Sequence, residues 1–76
     1  MQIMTLNANG IRSVARKGFF EWMLKQRPDI LCLQETKAQE QQLPAEVFKL
    51  PGYHSYFHDA DKKGYSGVAI YCKRKP

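Results

Sequence analysis

The segment that decides the fold is Pro28-Asp29-Ile30-Leu31-Cys32-Leu33-Gln34-Glu35-Thr36-Lys37. Its apolar centre predicts a strand from Ile30 to Gln34 with apolar side chains on both faces, which is typical of a strand covered on both sides. Directly after it come Glu35 and Lys37, so the strand delivers a carboxylate and an amine to the surface. A carboxylate in this position indicates a candidate metal ligand.

A strand and a helix precede this segment. The pattern predicts a strand from Gln2 to Leu6, which the turn residues 7–10 end. A helix is predicted from Ser13 to Gln26, with Ser13 as its N-cap, and Pro28 prevents its continuation. The helical face expected to meet the core carries Ala15, Phe19, Trp22 and Met23, widened by Phe20 and Leu24. Together these elements predict a β-α-β unit with a right-handed crossover.

Side-chain oxygens follow both strands of this unit. The first strand ends in Asn7-Ala8-Asn9-Gly10, and the second ends in Gln34-Glu35. Ligands gather at the carboxyl ends of strands in open α/β sheets, and Mg²⁺ prefers oxygen ligands. These side chains therefore predict a ligand site at one edge of the sheet. The asparagines have a second interpretation, because asparagine also forms turns by bonding to its own backbone.

The rest of the chain predicts a short helix and a hairpin. The helix extends from Pro44 to Leu50, and Pro51-Gly52 ends it. Two strands, Tyr53 to His58 and Gly67 to Lys73, are predicted to form an antiparallel hairpin around the charged loop 59–66. Apolar residues alternate in the second of these strands, which fits one face on a core and the other partly exposed.

Composition restricts the class of protein. The 76 residues carry a net charge of +5, and their 43% hydrophobic content argues against intrinsic disorder. The basic groups suit a polyanionic partner, although each group is also compatible with an ordinary solvated surface. These groups are Arg12, Arg16 and Lys17; Lys62 and Lys63; and Lys73 to Lys75. No window approaches the roughly 20 apolar residues of a membrane span, so no membrane partner is expected.

The cysteines do not suggest a metal site. Cys32 and Cys72 lie in apolar, strand-like runs without another cysteine or histidine at metal-ligand spacing. A disulfide between their two strands is an alternative, but we expect free, buried thiols and a cytoplasmic location.

The blocks Leu6 to Arg12, Pro28 to Lys37 and Gly64 to Ala69 resemble, in order and spacing, the exonuclease III and apurinic/apyrimidinic (AP) endonuclease family. That family lies within the larger endonuclease/exonuclease/phosphatase superfamily. The resemblance implies a DNase I-like α/β fold, a four-layered sandwich. Residues 1–76 would be one partial domain, the N-terminal part of the nuclease domain, and its remainder would be a partner.

The resemblance also implies a metal site. Glu35 and Asn7 match the family's metal-site residues, with Mg²⁺ as the cofactor and Mn²⁺ as an alternative. Asn9 takes a position that is often aspartate in relatives and would contact the metal through water. Its side chain is neutral here, which weakens that role. No catalytic base is expected in this chain, because the groups that orient the attacking water match later family segments. His54 and His58 lie four apart in a predicted strand and are not expected to replace them.

For DNA, the resemblance places Arg12 near the substrate backbone and Lys37 near the metal. Tyr65 and Ser66, in the hairpin loop, would approach the groove. Tyr65 is also compatible with simple packing in the hairpin. Contacts of this kind set affinity and register without reading sequence, so binding should depend on salt.

The implied function is magnesium-dependent phosphodiester hydrolysis at abasic sites or 3′ ends of duplex DNA, in DNA repair. One alternative is another superfamily branch acting on RNA, lipid or inositol phosphates, or a DNase-like enzyme. A second alternative is a non-catalytic, basic DNA-binding or interaction fragment. The isolated chain is expected to be inactive.

Overall fold

A computed structural model describes residues 1–37, 43–44, 48–59 and 67–75. In these ranges the elements are β1 (Ile3–Asn7), α1 (Ile11–Arg16), α2 (Phe19–Gln26), β2 (Ile30–Gln34), β3 (His54–Asp59) and β4 (Gly67–Cys72). All the predicted strands form, and their ends differ from the expected bounds by one residue at most. None of the helices in these ranges is long and apolar enough to cross a membrane.

The strands form a single mixed sheet in the order β1-β2-β4-β3. β1 and β2 are parallel, with Asn7 beside Gln34, which confirms the predicted β-α-β unit. β3 and β4 form the predicted antiparallel hairpin. The sequence did not indicate that β4, the second hairpin strand, would lie next to β2. This insertion brings the start of β4, at Gly67, close to the end of β2.

The core lies between the helices and one face of the sheet. Leu31 and Leu33 of β2 and Ala69 and Tyr71 of β4 are fully buried on that face. The alternation predicted for β4 is confirmed, because the residues between them are partly exposed. From the helical layer, the buried side chains that join this cluster are Ile11, Phe20 and Met23. Their burial supplies the hydrophobic stabilisation that joins helices to sheet.

Tyr71 links the sheet to the segment around Phe48. Its hydroxyl donates a hydrogen bond to the backbone carbonyl of Phe48 at 2.9 Å. The Phe20 ring meets the Phe48 and Tyr71 rings edge to face, at centroid distances of 5.7 and 5.9 Å. The predicted helix from Pro44 to Leu50 lies partly outside the described residues. At its described ends, the Phe48 amide donates to the Pro44 carbonyl at 3.2 Å, the spacing of a helical turn.

The predicted single helix from Ser13 to Gln26 is wrong, since two helices meet at a break. Gly18, with φ of 85°, lies between them in the left-handed region that glycine adopts without strain. Ser13 is not the N-cap. The N-cap is Gly10, which has no side chain with which to accept a hydrogen bond from the first turn. The amides of Gly10 and Ile11 donate instead to the carbonyls of Glu35 and Thr36. The carbonyls that follow β2 therefore satisfy two of the amides that have no partner within the helix at the start of α1.

The prediction that Trp22 faces the core is also wrong. Phe20 and Met23, three residues apart on one face of α2, are buried, whereas Trp22 is 51% exposed. The Phe19 ring is partly buried and contacts the Trp22 ring at a centroid distance of 6.1 Å. Trp22 follows Phe20 by two residues in α2, about 200° around the helix, so it points away from the face that Phe20 buries.

The opposite face of the sheet is open in the part of the chain that the structure describes. Ile3 is 58% and Ile70 38% exposed there, and Tyr56 and Val68 are similarly exposed. The expectation that β2 is covered on both faces holds for one face only, because Ile30 and Cys32 are half-buried. Both cysteines are free, as predicted, but half-buried rather than buried. We call this surface, centred on Ile70, the open face.

Candidate metal centre at the ends of β1 and β2

The pairing of β1 with β2 continues beyond both strands. The Ala8 amide donates to the Gln34 carbonyl at 2.8 Å, and the Gly10 amide donates to the Glu35 carbonyl at 2.9 Å. On the other side of β2, the Thr36 amide donates to the Gly67 carbonyl at 3.1 Å. The two polar segments that follow the strands are therefore held side by side by backbone hydrogen bonds, as the sheet-edge prediction requires.

Asn7 and Glu35 meet at this edge. Asn7 Nδ2 donates to Glu35 Oε2 at 2.5 Å, and the Asn9 amide donates to Asn7 Oδ1 at 3.1 Å. The second bond is the local turn that asparagine was expected to form. The Asn7 amide thus does two things: it shapes its own loop, and it orients the carboxylate of Glu35.

Lys37 completes the cluster. Its Nζ donates a hydrogen bond to Asn9 Oδ1 and lies 4.0 Å from Glu35 Oε1. Both charged side chains are partly exposed, Lys37 at 39% and Glu35 at 42%. The site is therefore open to solvent and to a ligand approaching the edge of the sheet.

The backbone at the site is left-handed at three non-glycine residues. The φ angles are 46° at Asn9, 52° at Glu35 and 54° at Lys37. Such angles are uncommon outside glycine, and they concentrate at functional sites. Strict alternation after the buried Leu33 would turn Glu35 inward. The left-handed turn at Glu35 reverses this order, so that Thr36 is buried and Glu35 is accessible.

Thr36 occupies the inward position between the two charged residues. It is 1% exposed, and its Oγ1 has no hydrogen-bond partner among the residues that the structure describes. A buried hydroxyl without a partner costs free energy, and such groups call for a specific explanation. Neither its burial nor the left-handed turns beside it had a signal in the sequence.

The donor atoms at this edge suit a hard cation. Glu35 supplies a carboxylate, and Asn7 and Asn9 supply amide oxygens, which are ligand types that Mg²⁺ accepts. Across the described ranges, no three His, Cys, Asp or Glu side chains are close enough to hold a metal. A site with one carboxylate still fits Mg²⁺, which keeps several waters and takes further oxygens from phosphates.

The other predicted site residues are Arg12, Tyr65 and Ser66. Arg12 is exposed in α1, and the preceding residue, Ile11, donates its amide to the Thr36 carbonyl, so the backbone at Arg12 lies near the segment that carries Glu35 and Lys37. Tyr65 and Ser66 lie outside the described residues. His54 and His58 are exposed on β3, which β4 separates from β2. The sequence analysis did not predict the contact between Lys37 and Asn9, because these residues lie in separate loops that come together only when β1 pairs with β2.

The sequence of residues 4–76 matches the profile of the endonuclease/exonuclease/phosphatase family. The chain belongs to the endonuclease/exonuclease/phosphatase family. It is 47% identical over 78 residues to the DNA repair nuclease APEX1 of Danio rerio, covering all of this chain and 25% of that protein. It is 42% identical over 77 residues to the exodeoxyribonuclease of Bacillus subtilis, covering all of this chain and 29% of that protein.

Solved structures of the family agree with the fold. The AP endonuclease from Archaeoglobus fulgidus superposes with a TM-score of 0.83 at 39% identity, covering all of this chain and 28% of that one. The predicted resemblance to exonuclease III and AP endonucleases is confirmed, as is the α/β fold class. The chain spans roughly a quarter of the length of these family members.

Proposed function

We propose that the protein carrying this chain is a DNA repair nuclease that hydrolyses phosphodiester bonds at abasic sites or 3′ ends of duplex DNA. One observation carries the proposal: β1 and β2 bring Asn7 and Glu35 together at the ligand-binding edge of the sheet. The identity to APEX1 and to an exodeoxyribonuclease supports the choice of DNA as substrate.

Glu35 is proposed as the main ligand of Mg²⁺, or alternatively Mn²⁺, with Asn7 as the second residue of the site. Asn9 offers a further amide oxygen. When bound, the metal neutralises charge that develops on the phosphoryl oxygens during hydrolysis. The contribution of Asn7 through its own atoms is to hold the Glu35 carboxylate in one orientation, because its Nδ2 donates to Oε2.

DNA would be held by charge at the same edge. Lys37 is cationic and partly exposed beside Glu35, and Arg12 is cationic and exposed in α1, as phosphate contacts require. Tyr65 and Ser66 remain predicted groove contacts. The net charge of +5 favours association with duplex DNA that weakens as salt rises.

The remainder of the nuclease domain is the other proposed partner. It would cover the open face and supply the groups that activate the attacking water, for which we assign no residue in this chain. We therefore expect the isolated 76-residue chain to be inactive. Magnesium-dependent incision of abasic DNA by the isolated chain, lost in Glu35→Gln, would contradict this expectation.

The test of the proposal is incision of an abasic duplex by the full-length protein. Glu35→Gln keeps the size of the side chain but removes its charge, and should lower kcat/KM by about 100-fold or more. Glu21→Gln, an exposed substitution on α2, is the matched control and should retain full activity. Hydrolysis of a phosphoinositide instead of abasic DNA would assign the protein to another branch of the family. DNA binding without hydrolysis of either substrate would indicate a non-catalytic role.

A further inference from the structure

We propose that Lys37 competes with the divalent cation for the oxygens of Glu35 and Asn9, so that metal binding in the free protein is weak and DNA strengthens it. The proposal rests on the proposed function, because it needs a metal at Glu35 and DNA as the ligand that draws Lys37 away. It adds a role for Lys37 beyond phosphate contact, namely control of when the metal binds.

The geometry supports direct competition. Lys37 Nζ donates to Asn9 Oδ1 and lies 4.0 Å from Glu35 Oε1. These are two of the oxygens that the site can offer to a cation. The other carboxylate oxygen, Oε2, already accepts a hydrogen bond from Asn7 Nδ2 at 2.5 Å. Both oxygens of Glu35 therefore face positive or donor groups of the chain itself.

The charges at the site also favour competition between Lys37 and the metal. Glu35 and Lys37 together are neutral, and Asn7 and Asn9 contribute no charge to offset a divalent cation. A metal held by the Glu35 carboxylate would lie within a few ångströms of the Lys37 ammonium, and like charges at that range repel each other. Because both side chains are partly exposed, solvent screens this repulsion, and the effect on affinity should be moderate.

Lys37 can leave without rearranging the backbone. The adjoining Thr36 is anchored, because its amide donates to Gly67 and its carbonyl accepts from the Ile11 amide. The flexible four-carbon stem of lysine allows the ammonium to turn towards a phosphate. A DNA phosphate at this edge would exchange one anionic partner of Lys37 for another and leave the Glu35 oxygens to the metal. Linkage then requires that Mg²⁺ and DNA each increase the affinity for the other.

The test is calorimetric titration of the full-length protein with MgCl₂ in the absence of DNA. Lys37→Met removes the charge and keeps most of the side-chain length, and should tighten Mg²⁺ binding by about 5-fold or more. Lys25→Met on exposed α2 changes the net charge equally and is the control, with Mg²⁺ affinity unchanged. With an undamaged duplex closed by hairpins at both ends, which offers phosphates but no abasic site or free 3′ end to cut, the Mg²⁺ affinity of the wild type should rise, and that of Lys37→Met should change less.

Mg²⁺ binding that is unchanged or weaker in Lys37→Met would overturn the competition. If circular dichroism shows that Lys37→Met is misfolded, Lys37→Gln provides the same comparison with a polar side chain. Failure of the proposed function would look different: even with DNA present, Mg²⁺ would bind equally to wild type and Glu35→Gln, or to neither. Loss of binding in Glu35→Gln without tightening in Lys37→Met would leave the metal site in place and reject only the role of Lys37.

Discussion

Asn7 and Glu35 are 28 residues apart in the sequence, yet Asn7 Nδ2 donates to Glu35 Oε2 at 2.5 Å. The contact follows from the parallel pairing of β1 and β2, which places Asn7 beside Gln34, the residue before Glu35. A residue that aligns a ligand in this way affects metal affinity even where its own contact with the metal is weak.

Asn7→Ala should therefore weaken Mg²⁺ binding by about 10- to 100-fold, the usual effect of losing a partner that orients a ligand. Calorimetric titration of the full-length protein measures it. Gln34→Ala, at the neighbouring exposed position, is the control and should bind as the wild type does. Equal Mg²⁺ affinity in Asn7→Ala and the wild type would show that the Glu35 carboxylate binds the metal equally well without the hydrogen bond from Asn7.

Thr36→Val should stabilise the protein by about 1 kcal/mol, because it replaces a buried hydroxyl that lacks a partner among the described residues with a methyl group of similar size. Urea denaturation gives the free energy of unfolding. Thr5→Val, an exposed threonine of β1, serves as the matched control with a smaller change. A loss of stability in Thr36→Val would mean that the hydroxyl is bonded in the full-length protein.

Arg27→Gly should also stabilise the protein, by about 0.5–1 kcal/mol. Arg27 ends α2 with φ of 49° and ψ of 56°, a left-handed conformation that glycine adopts without a steric penalty. Lys25→Gly, within the helix, should destabilise by about 1 kcal/mol in the same urea experiment. Destabilisation by both changes would indicate that the Arg27 side chain makes a contact that outweighs the strain.

Asp29 should make folding sensitive to acid. Its carboxylate accepts a hydrogen bond from the Gln2 amide at 2.7 Å and lies 3.8 Å from Lys73 Nζ. The Gln2 hydrogen bond, and then the charge of Lys73, hold the pKa of Asp29 below its ordinary value of 3.8. A lowered folded-state pKa adds stability above pH 3.8 that disappears as the pH falls through the folded value.

Thermal melts between pH 7 and pH 2 test this linkage. Asp29→Asn should be less stable than the wild type at neutral pH, and the difference should shrink below about pH 4. Gln2→Ala keeps the backbone amide that donates to Asp29 and should keep the acid dependence of the wild type. A difference that stays constant at all pH values would show that the Asp29 interactions do not depend on its charge.

The open face makes a further prediction for the full-length protein. If the remaining domain covers Ile70, Ile70→Lys buries a charge and should destabilise by about 2 kcal/mol or more. Glu21→Lys on the outer side of α2 introduces the same side chain and should have little effect. Equal melting temperatures for both variants would show that the open face stays exposed to solvent.

Local patterns were enough to predict the strands and the edge at which Asn7 and Glu35 meet. The alternation in β4 and the apolar run before Glu35 are short-range signals in the sequence. Parallel pairing of β1 with β2 then places Asn7 close to Glu35. The helix break depends on a left-handed Gly18, which a stripe of apolar residues does not reveal. Likewise, Thr36 is buried because Glu35 turns left-handed, and residue type alone gave no reason to expect φ of 52° there.

At Asn9, Glu35 and Lys37, which have left-handed backbone angles, selection for folding and selection for chemistry favour different residues. Selection for folding alone would favour glycine at these positions, because glycine adopts positive φ without steric cost. Selection for chemistry would retain the amide, the carboxylate and the ammonium. Few substitutions at these three positions should therefore be tolerated. Most replacements lose the functional group and keep the backbone strain, and glycine relieves the strain only by removing the side chain.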